Sequence, residues 1–185
     1  MLDGESLMKT RTSFLFPIVL LIIAFANSQD KTTGPLIFGT SASTWKMEFP
    51  ARDYLIISND SSQDGKRRTL ILRNTERKLS VTLKVEPADG RKTSIECRDF
   101  HLAQPNRLID SQSLRVYEKE GVPFSESKIK AVTGYSGRFV QAFYLKDGYE
   151  FSVLVYVSAF DEANDRPVCN AIFRSINFAY HVDKQ

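Results

Sequence analysis

Residues 138–158 read RFVQAFYLKDGYEFSVLVYVS, and this stretch decides the fold. Two alternating runs, 138–146 and 149–158, flank Asp147-Gly148, a dipeptide suited to a tight antiparallel turn. Phe139, Ala142 and Tyr144 are expected to face Phe151, Val153, Val155 and Val157 across the hairpin. An acidic loop with Asp161, Glu162 and Asp165 follows. The segment 167–178 then places Val168, Ile172, Phe173 and Ile176 at helical spacing, a stripe suited to covering a sheet. Asp165 can cap this helix and Pro167 suits its first turn.

Working outward, residues 44–50 alternate apolar and charged side chains until Pro50, which predicts a half-buried strand. A second strand, 54–58, runs into the turn-rich loop 59–65, where Asn59-Asp60-Ser61 satisfies the glycosylation sequon. Strands 69–73 and 79–86 follow, and Leu79, Val81, Leu83 and Val85 give the second a clear period of two. Thr93 or Ser94 can cap a helix carrying Ile95, Phe100 and Leu102, which Pro105 ends. Shorter strands are expected at 114–118 and 128–132, separated by Gly121-Val122-Pro123, before the turn Gly134-Tyr135-Ser136-Gly137. The sum is an α+β class: an antiparallel β-sheet of about six to eight strands packed with two or more helices.

Lys9 and Arg11 precede the apolar run 14–25, with small residues at Ala24, Ala26 and Ser28. That is the pattern of a secretory signal peptide cleaved after Ala26 or Ser28, with Met8 as an alternative start. The expected organisation is a signal peptide at 1–28, a flexible leader at 29–43 and one α+β domain at 44–182. The destination is outside the cytoplasm, periplasmic or secreted. Roughly 155 residues then remain, enough for one domain. The net charge of +3 is unchanged by signal removal and implies no nucleic-acid partner.

The order of elements resembles the Mog1/PsbP-like superfamily, including its bacterial exported PsbP-like domains. The resemblance rests on Trp45-Lys46-Met47-Glu48-Phe49-Pro50, on residues 137–158 with the Lys146-Asp147-Gly148-Tyr149 turn, and on Ala171-Ile172-Phe173-Arg174-Ser175-Ile176-Asn177-Phe178. It implies an α/β/α sandwich. It also implies an accessory or binding role without shared catalytic residues.

The chemistry-bearing residues are few. Gly134-Tyr135-Ser136-Gly137-Arg138 lacks the fifth-position glycine of a nucleophile elbow and reads as a turn. His101 and His181 are the two histidines; neither is placed near a nucleophile, and both read as surface groups, so no catalytic residue, metal site or cofactor is assigned. Cys97 and Cys169 are either one disulfide in an oxidising compartment or two separately buried thiols. Lys66, Arg67, Arg68, Arg73, Arg77 and Lys78 gather around one hairpin, where they would contact an anionic surface or serve as ordinary edge charge. The expected function is an exported non-enzymatic binding or accessory protein holding a protein or peptide partner on its sheet or in a groove. Alternatives are an exported hydrolase with an unrecognised site and a toxin-immunity or inhibitor protein.

Overall fold

The computed structural model describes residues 31–104, 109–129 and 137–181. The signal-like run, the expected turn at 134–136 and most of the expected strand at 128–132 lie outside them. Seven strands form one antiparallel sheet: β3 (Leu55–Ser61), β4 (Arg68–Asn74), β5 (Leu79–Pro87), β6 (Arg115–Lys119), β7 (Val122–Lys128), β8 (Arg138–Lys146) and β9 (Tyr149–Val157). Their spatial order is β3-β4-β5-β9-β8-β7-β6. A smaller sheet holds β1 (Leu36–Phe38), β2 (Trp45–Phe49) and β10 (Asn177–Tyr180), with β2 central. Two α-helices, α1 (Ser94–Ala103) and α2 (Glu162–Arg174), and a short 3-10 helix at Ser111–Ser113 complete the described elements. The α+β class read from the sequence is the one observed.

Period-two alternation sorts the large sheet into two faces. Leu79, Val81, Leu83 and Val85 of β5 point the same way as Phe151, Val153, Val155 and Val157 of β9, and all are buried. The small sheet and α2 close this face, adding Phe38, Met47, Phe49, Cys169, Ile172 and Phe173 to one core. The opposite face carries Phe143 and Glu150, and α1 lies over it, with the His101 ring stacked on Phe143 at 5.5 Å.

The deciding hairpin forms as expected, with Asp147 and Gly148 both at positive φ (46° and 76°). Ala142 pairs with Val153 and Tyr144 with Phe151, but Phe139 pairs with Tyr156 on the other face. Five further differences separate the observed elements from the expected ones. Helix α2 starts earlier, because Asp161 rather than Asp165 caps it: Asp161 accepts from the backbone of Ala163 and Asn164 at 2.8 and 3.3 Å. Asp165 reaches back to accept from the Asp161 N–H at 2.7 Å, a reciprocal arrangement that fixes the start. The helix ends at Arg174, and the expected helical residues 177–178 are strand instead, Phe178 pairing with Met47 and packing on Phe151. Val122 and Pro123 begin β7 rather than forming a turn, and β3 continues through residues read as loop. Finally, residues 36–43, placed in a flexible leader, belong to the domain: Phe38 is fully buried and Lys31 bridges to Leu55.

Candidate functional site

Two places concentrate chemistry. The first lies under α1. Glu86 is the penultimate residue of β5 and Glu150 the second of β9, and the register sets them directly opposite each other. Like charges in that position repel, so the pair demands cations. Compensating donors arrive from three elements. His101 Nε2 lies 2.5 Å from Glu150 Oε1 and 3.6 Å from Glu86 Oε1. Lys84 Nζ donates to Glu86 Oε1 at 2.7 Å, and Arg91 comes within 3.2 Å of Glu150 Oε2. Glu150 is only 1% exposed, and burial alone would push its carboxyl up; the hydrogen bond from His101 and the charges of His101 and Arg91 outweigh this and hold it below the usual carboxylate range. Among the described residues, neither Glu150 Oε2 nor Arg91 Nε has a hydrogen-bond partner. Cys97 is buried beside this centre, and burial, reinforced by the Glu150 charge, pushes its thiol up to about 12.

The second place is the far edge of the large sheet. Strand β6 pairs only with β7 among the described residues, in unbroken register from Arg115↔Glu126 to Lys119↔Val122. Val116 is 46% exposed. Beside the start of β6 lies a cleft of about 180 Å³ whose lining includes Gln112, Ser113, Arg115, Lys128, Arg138 and Glu126. Glu126 is buried on its floor, bonded to Arg138 at 2.7 Å and to both terminal nitrogens of Arg166 at 2.7 and 2.8 Å. Glu162 braces the same two arginines at 2.9 and 2.7 Å. With Glu126 neutralised this way, Arg115 and Lys128 leave the cleft rim cationic. The other sheet edge differs: β3 is interrupted by a bulge at Ile57 and meets Lys31.

The cysteines read from the sequence are two separate thiols, both buried. Cys97 sits on α1 over one face of the sheet and Cys169 on α2 over the other, so the sheet lies between them and the Cα approach of under about 7 Å that a bridge needs is out of reach. Burial pushes the Cys169 thiol up to about 11. The six basic residues do not form one patch. Lys66, Arg67 and Arg68 lie at one end of β4, while Arg73, Arg77 and Lys78 lie at the other, about 20 Å away at strand rise. Arg68 is spent on Asn59, the Gly39 carbonyl and the Phe38 ring, and Arg67 lies within 4.0 Å of Glu86 and Asp89. His101, read as a surface group, is instead the hinge of the carboxylate centre. The available signal was Glu150, a charge inside the largely apolar run of β9.

These features define an α+β protein with a seven-stranded antiparallel sheet, a smaller sheet closing its core face and a charged centre beneath its first helix. No protein-family model matches the chain, and no curated protein matches it. Among solved structures it is similar to cyanobacterial PsbP (CyanoP) from Synechocystis sp. PCC 6803, with a TM-score of 0.45 and 6% identity over 86% of this chain and 99% of that one. The likeness is one of fold alone.

Proposed function

We propose that the protein is an exported, non-enzymatic binding protein that pairs an extended, acidic segment of a partner protein with the outer edge of β6. The observation that carries this reading is the regular β6 edge with a cationic cleft beside it. Five residues of strand offer about 17 Å of backbone for strand addition. The cleft, at about 180 Å³, is smaller than the roughly 300–1,000 Å³ usual for small-molecule sites, and is sized for a side chain. Arg115 and Lys128 on its rim favour a carboxylate there. Export is supported by Lys9, Arg11 and the apolar run after them, and it would bring the domain to a partner outside the cytoplasm.

The test is fluorescence polarisation with labelled peptides of about ten residues, alternating glutamate with valine or threonine, against counterparts carrying lysine. The acidic peptides should bind, and Arg115→Glu or Val116→Asp should abolish binding. Equal binding of both sets, or indifference to both substitutions, would contradict the proposal. For export, the mass of the protein recovered outside the cytoplasm should begin after Ala26 or Ser28; an intact N-terminus there would contradict cleavage.

A further inference from the structure

We propose that Glu86, His101 and Glu150 form a binding site for a divalent transition-metal ion of the zinc class. One donor atom from each lies within 4.8 Å of the others. The donors come from the end of β5, from α1 and from the start of β9, three elements that the fold holds in place. The cross-strand register is what makes the arrangement unusual. Two carboxylates are set directly opposite each other, one of them almost wholly buried, where a cation between them would add to the relief that Lys84 and Arg91 give.

The distances suit a small ion. Metal–donor bonds of about 2.0–2.2 Å place tetrahedral ligands roughly 3.3 Å apart. His101 Nε2 and Glu86 Oε1 stand at 3.6 Å, already close to that value. The 2.5 Å between His101 Nε2 and Glu150 Oε1 would open by roughly 0.8 Å, a movement within reach of a side-chain rotation. Glu150 Oε2 is buried and makes no hydrogen bond of ordinary geometry among the described residues; its contact with Arg91 is an ion pair at 3.2 Å.

The surroundings act as supports for the ligands. Phe143 fixes the imidazole plane by stacking, Lys84 holds Glu86, and Arg91 holds Glu150, as outer partners do in metal centres. The donor set selects the ion class. One imidazole with two carboxylates suits zinc, cobalt or nickel, whereas calcium takes six to eight oxygens, more than these three residues offer. Glu86 and His101 are each 14% exposed, so the ion can enter from one side. Because Lys84 and Arg91 already offset the carboxylates, binding is expected to be weaker than at a structural zinc site and reversible.

Titration of the purified protein with Co²⁺ alone, followed by visible absorption and competed with Zn²⁺, tests the assignment. One ion per chain should bind with a tetrahedral-type spectrum, and Zn²⁺ should displace it and raise the melting temperature. His101→Asn and Glu86→Gln, each checked by circular dichroism for native fold, should weaken binding at least tenfold and remove the thermal shift, while His181→Asn should leave both unchanged. Absence of binding, binding indifferent to both His101→Asn and Glu86→Gln, or binding lost with His181→Asn would overturn the site. Should His101→Asn fail to fold, Glu86→Gln decides.

Discussion

Replacing Glu126 by alanine probes the charged network that shapes the β6 cleft. The Glu126 side chain is only 6% exposed and faces Arg138 and Arg166, which are 20% and 21% exposed. Three charge-assisted hydrogen bonds disappear with it. Removing one partner of a buried pair costs about 3–5 kcal/mol because the other charge stays behind. Here both arginines retain Glu162, so the expected loss is at the low end, about 3 kcal/mol. Glu162 is 63% exposed, and its own removal should cost about 0.5 kcal/mol. In urea denaturation of the purified protein, Glu126→Ala should lower the midpoint by roughly 1–2 M at an m-value of about 2 kcal/mol/M, with Glu162→Ala shifting it only slightly. Replacing Glu126 and Arg166 together by methionine should recover part of the loss, since no orphan charge then remains at that contact. Equal effects of Glu126→Ala and Glu162→Ala would refute the reasoning.

Cys97 and Cys169, with thiols pushed up to about 12 and about 11, should resist alkylation by iodoacetamide at pH 8 until denaturant is added, since the thiolate is the reactive form; non-reducing mass analysis should then show two modified thiols and no bridge. Phe38→Ala should destabilise the domain by about 3–5 kcal/mol, measured by denaturant unfolding, because Phe38 is fully buried; a neutral result would return residues 36–43 to a leader. Asp161→Ala should cost about 1 kcal/mol while Asp161→Ser costs much less, read from thermal melts, which distinguishes the observed cap of α2 from a start further along.

The period-two strands were legible because one face of each is apolar: residues 79–86 and 149–157 announce themselves. β7 was hidden for the opposite reason. Its Ser125, Glu126 and Ser127 are all buried, so hydrophobic alternation vanishes where arginines from β8 and α2 satisfy a buried carboxylate. β10 was hidden because Ile176 completes the helical stripe of Val168, Ile172 and Phe173 and carries the apparent helix past Arg174; the choice falls to Ser175, whose N–H closes the last turn onto Ala171 and Ile172. The carboxylate centre could not be read from spacing at all. Glu86, His101 and Glu150 are far apart in sequence and meet only through the β5–β9 register and the placement of α1. Glu150 alone carried a local signal, as a charge inside an apolar run. The two cysteines remained an open pair until the sheet was seen to lie between them.

Hydrogen exchange of the backbone amides of residues 115–119, measured with and without the acidic extended peptides, tests the central claim most directly. Strand addition on β6 predicts slowed exchange along this strand, while β3 at the opposite edge is unchanged. Binding that protects β3 or α1 and leaves β6 exchanging at its unbound rate would contradict it.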